Sequence, residues 1–149
     1  MEDKERKIIV ILVSEMITNG KYILRKGVKG DRPATNYVGA IILRRGETIH
    51  ENIPDYVLLY ENQQIGALHG DAGSIRHIEI FDEFQKRGHA EKFVGLLELE
   101  AKNLGLTSME AYPVTNPIFA HVLEKRQFEL IKEEADGTRI YTKKLVLSK

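Results

Sequence analysis

The chain contains no cysteine, only four prolines and no surplus of charge of either sign. Without cysteine it forms no disulfide, no thiolate nucleophile and no cysteine-based zinc site, and a reducing cytoplasm suits it. Lysine and arginine number 22 and so do aspartate and glutamate, so no global field draws the chain to nucleic acid or to an anionic membrane. Any anion must be held locally. Long hydrophobic runs are missing too: Ile8 to Val13 is far shorter than a bilayer span and no small-residue cleavage site follows it, so neither anchor nor signal peptide is read. No G-x-S-x-G elbow, P-loop or dinucleotide fingerprint occurs, which removes those enzyme classes. His50, His69, His77, His89 and His121 lack the short paired spacing of a metal site, so no metal is expected.

What is present is a globular composition, 42% hydrophobic and 30% charged, which excludes disordered and fibrous chains. At 149 residues the expectation is one domain, 1–149. Ile9, Leu12, Val13, Met16 and Ile17 fall at helical spacing, and Asn19-Gly20 would end that helix, although the β-branched run Ile8–Val13 also reads as a strand. Extended pieces are expected at Tyr22–Arg25 and Tyr37–Leu43. Two strands, Tyr56–Tyr60 and Ile65–Leu68, flank the polar turn Glu61-Asn62-Gln63-Gln64. A third strand, Ile75–Phe81, leads into a periodic helix from Gly88 to Leu104, with Phe93, Leu96, Leu97, Ala101 and Leu104 facing the core and Gly105 as its stop. Then come a strand, Thr107–Tyr112, a short helix, Pro117–Arg126, and a hairpin of Phe128–Glu133 and Arg139–Leu145 about Asp136-Gly137. This order predicts a mixed, mostly antiparallel α/β sheet with one parallel crossover between residues 75 and 112.

The segment Ile80-Phe81-Asp82-Glu83-Phe84-Gln85-Lys86-Arg87-Gly88-His89-Ala90 runs off a strand straight into a helix start. Such a start offers unpaired N–H groups and partial positive charge, which suit a phosphate or pyrophosphate. Gly88 allows close backbone approach and Ala90 raises no steric wall. The dipole itself contributes only about 0.3 to 1 kcal/mol, so amide hydrogen bonds must supply most of the hold, with Lys86 and Arg87 adding charge.

Gln85-Lys86-Arg87-Gly88-His89-Ala90 resembles the acetyl-CoA motif of the GNAT N-acetyltransferases: Arg or Gln, two residues, Gly, one residue, Gly or Ala. Gln85, Gly88 and Ala90 fill its defining positions. A second segment, Asn116 to Phe128, resembles the family stretch that opens on a CoA-contacting Asn and closes on Glu-Lys-x-Gly-Phe. Asn116, Glu124, Lys125 and Phe128 match, Gln127 replaces the glycine, and Leu123 stands where many members carry a tyrosine that protonates the leaving thiolate. The resemblance implies a GNAT-like single domain with helices on both faces of the sheet, residues 56–145 as the acetyl-CoA-binding core and the divergent residues 1–55 as the acceptor side. It implies acetyl-CoA as cosubstrate, held by Ile80, Phe81, Gln85, Lys86, Arg87, Gly88, His89, Ala90 and Asn116. It also implies transfer in a ternary complex to a small-molecule or peptide amine, and allows a homodimer.

Acetyl transfer needs a neutral amine. For a lysine-like amine deprotonation at neutral pH costs about 4.6 kcal/mol, whereas for an α-amine it costs only about 1 kcal/mol. Glu79 and His77 alternate onto one strand face as candidate bases, with Glu79 preferred, and Tyr112 stands in for the missing tyrosine as acid. The competing readings are plain: a cross-strand pair for Glu79, a packed aromatic for Tyr112, a helix cap for Asn116. A noncatalytic acyl-CoA-binding or sensing domain also fits, given Leu123, and a purely structural domain would bind no CoA at all.

Overall fold

The computed structural model describes residues 16–35, 41–44, 47–50 and 52–146, the second and third of these stretches by backbone only. Strands β1 (Met16–Asn19) and β2 (Tyr22–Lys26) form a hairpin in which Asn19 pairs with Tyr22. Met16 and Ile17 therefore lie in a strand, which corrects the helical reading. Ile9, Leu12 and Val13 lie outside the described residues. The cause is local: Asn19-Gly20 reads equally as a helix stop and as a hairpin turn, and Gly20, at φ +61°, supplies the positive dihedral that a tight two-residue turn requires. Of the expected extended piece at 37–43, Ile41–Arg44 (β3) is strand and pairs with Glu47–His50 (β4) in a separate two-stranded sheet.

The main sheet continues with β5 (Tyr56–Tyr60), β6 (Gln63–Asp71) and β7 (Ser74–Ile80). The β5–β6 turn is only Glu61-Asn62, both at positive φ (50° and 66°), so Gln63 and Gln64 belong to the strand and not to the turn. A single 3-10 turn, Asp82–Phe84, precedes α1 (His89–Asn103); β8 (Ser108–Val114), α2 (Pro117–Lys125), β9 (Glu129–Glu133) and β10 (Arg139–Lys144) complete the order. The sheet reads β1-β2-β5-β6-β7-β8-β10-β9, antiparallel throughout except for β7 and β8, which are joined through α1 and run parallel. The expected crossover is therefore present.

α1 buries Phe93, Leu96, Leu97 and Ala101 as its spacing requires, each such side chain contributing roughly 1.5 to 3 kcal/mol if large. Leu104 departs from the expectation and is 58% exposed, because the helix ends at Asn103 and Gly105, at φ +80°, turns the chain away. Gly66 on β6 makes the approach of α1 possible: a Cβ there would sit 3.1 Å from the Phe93 ring and 2.7 Å from the Glu79 carbonyl oxygen. Buried Glu98 ties three elements together, accepting from Arg126 Nε at 2.8 Å and from Lys143 Nζ at 2.7 Å. The two described helices touch and share one buried cluster with Leu24, Leu58, Leu68 and Tyr141.

The opposite face of the sheet carries a second small cluster, Ala34, Ala67 and Phe81. There the cover is the strap 28–35. Asp31 accepts two hydrogen bonds from the Arg25 guanidinium (2.7 and 2.9 Å) and one from Val28 N–H, and the Gln64 amide binds both the N–H and the carbonyl of Arg32. Ala34 N–H donates to His69 Nε2.

Candidate active site

β7 and β8 are paired only at Ser74–Glu110 and Ile75–Ala111, and then they part. The gap is a cleft of about 550 Å³ bounded by β7, the start of α1, the end of β8 and α2. Phe81 N–H donates to the Ile65 carbonyl, a register in which the main-chain groups of Ile78 and Ile80 point away from β6. With β8 gone, that edge of β7 faces the cleft. An extended ligand can add to it as another strand would.

At the wide end lies the strand-to-helix loop. Gln85 lies extended, Lys86 sits at φ +66° and Gly88, the N-cap of α1, at φ +79° with no side chain capping the helix. The first bond into the helix runs from Lys92 N–H to the Gly88 carbonyl at 3.4 Å. Among the described residues, the N–H groups from Lys86 to Glu91 donate to nothing. This run of open amides at a helix N-terminus forms a cradle whose chemistry suits an anion, with the Lys86 charge on its rim. A Cβ on Gly88 would meet nothing within 4 Å, so glycine serves the dihedral there and not a close protein contact. Gln85 braces the loop from beneath, its Nε2 donating to the Ile80 carbonyl at 2.9 Å and to Asp82 Oδ1 at 3.2 Å.

His89 points inward. Its ring is buried between Tyr22 and Tyr60, with Nδ1 2.7 Å from the Tyr22 hydroxyl. Burial, with Arg87 adding to it, pushes its imidazole below the ordinary histidine value, so the cradle is fastened to β2 and β5 by a neutral ring. Ala90 and Asn116 both line the cleft. Asn116 also caps α2, its Oδ1 accepting from Ile118 N–H at 2.8 Å and Phe119 N–H at 3.4 Å, which leaves its amide nitrogen for a ligand. Two expected contacts are absent from the cleft lining. The Phe81 ring is buried on the opposite face under the Arg32 guanidinium and its carbonyl is taken by Phe84 N–H, while Arg87 is exposed beyond the rim.

The catalytic candidates separate. Glu79 lines the cleft, and instead of a cross-strand partner it takes Thr35 N–H and Thr35 Oγ1 on its two oxygens, both at 2.7 Å. His77 lines the cleft on the same strand face and is exposed, its ring edge-on to His69 at 6.2 Å. Tyr112 does not line it. Its hydroxyl reaches Glu134 at 3.5 Å, and its ring lies 5.7 Å from the Arg76 guanidinium. Leu123 is fully buried in the core and faces away from the cleft. Gln127, at φ +69°, holds the left-handed dihedral the glycine of the resembling motif would supply, so that turn is kept. Sequence reasoning missed Thr35, since the strap partners of a strand residue carry no periodic signal.

No family model matches the sequence, and no curated protein matches it. Solved structures do. A variant of agmatine N-acetyltransferase in its apo form superposes on 60% of this chain and 75% of its own, at 10% identity and a TM-score of 0.50. The Drosophila melanogaster polyamine N-acetyltransferase, an enzyme that catalyses formation of N-acetylagmatine, gives 60%, 74%, 10% and 0.50. The apo ribosomal α-N-protein acetyltransferase RimL matches over 60% of this chain and 59% of its own, at 14% identity and a TM-score of 0.50. The chain has the fold of the GNAT N-acetyltransferases, a mixed α/β sheet that is antiparallel but for one parallel pair.

Proposed function

We propose that this chain is an N-acetyltransferase that moves an acetyl group from acetyl-CoA directly to an amine, as one domain. The observation that carries the reading is the set of open N–H groups from Lys86 to Glu91 at the mouth of a cleft whose β7 edge is also unpaired. A diphosphate suits the first and an amide-bearing pantetheine arm suits the second. Gln85, Lys86, Gly88, His89 and Ala90 build the cradle, Ile80 offers its N–H to the arm while its carbonyl holds Gln85, and Asn116 closes the far wall. Arg87 contributes long-range charge only, and Phe81 supports the loop from behind.

α1 opens on one face of the sheet, and His77 and Glu79 project from the other. The donor arm thus enters through the gap from the helix side while the amine approaches from the strap side. The amine nitrogen attacks the thioester carbonyl, the C–N bond forms, the C–S bond breaks, and the ammonium proton passes to a base on β7 or through water to solvent. Tyr112 is turned toward Glu134, so the thiolate, with an intrinsic pKa near 8.5, leaves without that acid. The acceptor side comprises the strap and the rest of residues 1–55. Structural neighbours named for agmatine, polyamine and ribosomal-protein acetylation support a small or peptide amine as acceptor. No helix among the described residues is long and apolar enough to cross a membrane. Sedimentation checks the homodimer the resemblance allows.

The test is calorimetric titration with acetyl-CoA, followed by thiol release in the presence of agmatine, spermidine or a peptide with a free α-amine. Binding with amine-dependent release is expected. Binding without it would instead describe a sensor, and no binding would refute both.

A further inference from the structure

β6 and β7 lose register beside the cleft. His69 opposes His77, but the next pair is Gly70 with Ile75, so Arg76 is one residue too many on β7 and forms a bulge. A bulge re-aims the side chain it carries. Gly70 leaves room for it, since a Cβ there would sit 3.0 Å from the Arg76 main-chain nitrogen and 3.2 Å from its Cγ. Arg76 is also the first residue after the last β7–β8 pair, Ile75 with Ala111. It therefore stands at the closed end of the cleft, roughly 13 Å along the strand from Ile80. Ala111 is buried in the helix-side core, so its neighbour Tyr112 projects from the strap face. The Arg76 guanidinium follows Tyr112, lying 5.7 Å from that ring with Nη1 donating to the Tyr112 carbonyl at 3.4 Å.

The charge on Arg76 is uncompensated. Arg25, Arg32, Arg126 and Arg139 each pair with a carboxylate, whereas among the described residues Arg76 pairs with none. Of the carboxylates that line the cleft, Glu91 stands in the first turn of α1, at the cradle end, and Glu79 holds Thr35 N–H and Thr35 Oγ1 on its two oxygens. Among the described residues, then, the acceptor end of the cleft presents a guanidinium without a counter-ion and a carboxylate that is already engaged. A guanidinium fork matches a carboxylate bidentately, and its charge repels a chain of ammonium groups.

We propose that Arg76 selects the acceptor, an amine that carries a carboxylate close to it, in preference to a polycation. The carboxylate belongs either to a free amino acid or to the acidic first residue of a peptide. This assignment rests on the acetyl-transfer reading and names the substrate class for that same site. With the carboxylate on the Arg76 fork at the strap face, the amine nitrogen lies at the closed end of the cleft, where the thioester arm running along β7 ends. Arg76 binds the acceptor and takes no part in the transfer step itself.

The experiment compares kcat/KM, read as thiol release, across matched acceptors: alanine against alaninamide, an amidated peptide beginning with aspartate against the same peptide beginning with asparagine, and spermidine. Wild-type protein is expected to favour the acid of one pair over its amide by about ten-fold or more, and to use spermidine less well than that acid. The pair that shows the preference identifies the source of the carboxylate. Arg76→Gln should level the ratio by raising the KM for the acid about ten- to a hundred-fold, with Tm and the Kd for acetyl-CoA unchanged. Arg76→Glu should turn the preference toward spermidine. A wild-type protein that prefers the amides or spermidine overturns the proposal. So does an Arg76→Gln protein whose acid-to-amide ratio is unmoved, or whose affinity for acetyl-CoA falls as far as its activity, which would make Arg76 a coenzyme contact. Wild-type protein that releases no thiol with any of the amines overturns the acetyl-transfer reading itself.

Discussion

The cradle at 85–90 and the strap at 28–35 are both irregular, polar and set on the same sheet, yet they dispose of their hydrogen-bonding groups in opposite ways. The strap pairs most of its N–H groups: Val28 with the Asp31 carboxylate, Asp31 with the Val28 carbonyl, Arg32 with Gln64, Ala34 with His69 and Thr35 with Glu79. The cradle spends almost none, and holds two residues at positive φ to keep six consecutive N–H groups, Lys86 to Glu91, open. Paired groups build a scaffold and unpaired ones wait for a ligand, because an open donor is tolerable only where water or a ligand reaches it. The difference assigns roles to two loops that composition alone would not tell apart.

The contrast can be broken most severely at Asp31. Asp31→Ala should remove about 2 to 3 kcal/mol of stability, since it strips a mostly buried bidentate pair and strands Arg25, and the Tm should fall by on the order of 10 °C. Acetyl-CoA affinity measured by calorimetry should stay within about two-fold of wild type; a large loss would mean that strap and cradle are one unit. The reverse dissociation is expected at Lys86, which is exposed on the rim. Lys86→Glu should weaken acetyl-CoA binding about ten- to a hundred-fold with little change in Tm, and unchanged binding would take the diphosphate away from this loop.

A smaller effect links the two regions through pH. Burial lowers the titration of both His69, under the strap, and His89, under the cradle. The unfolded chain therefore binds more protons than the folded one once pH drops below about 6.5, so stability should be full above that value and decline as pH falls toward the depressed folded values. Denaturant midpoints measured from pH 8 to 5 should show this slope, and His89→Gln should make it shallower; a flat wild-type profile would contradict both burials. Asp31 acts in a lower window, because Arg25 holds its carboxyl below the usual range and its contribution is lost only as pH falls through that depressed value. The smallest expected change lies outside both loops: Gln127→Gly should stabilise the chain by about 1 kcal/mol, read as a rise in Tm, because a non-glycine side chain at φ +69° is strained.

The elements around the cleft were readable because their signals are local. Helix period, Gly105 as stop, Asn116 before Pro117 and the Gln85–Ala90 spacing all act over a few residues, and the structure places Gly88, Ala90 and Asn116 on the cleft. The failures share a cause as well. Asn19-Gly20 is punctuation that a helix and a hairpin both use, Leu104 kept the right period one residue past the helix end, and Gln63 lies on the strand side of a turn shorter than its polar stretch. For Tyr112 and Glu79 the strand was read correctly, while Phe81 lies one residue past the end of β7. What their side chains touch depends on partners at 32, 134 and 35, far away in sequence.

By itself, then, the order of residues determined the elements from 56 onward, the parallel crossover and the position of the helix start that follows β7, since each follows from short-range propensity and spacing. Only the tertiary structure decided that β7 and β8 part after Ile75 and Ala111, which donors remain open, and that Thr35 occupies Glu79 while His77 looks into the cleft. Those are outcomes of packing between distant segments: the divergence of two strands and the pairing of a strap with a sheet are set by what covers each face, a quantity no local pattern carries.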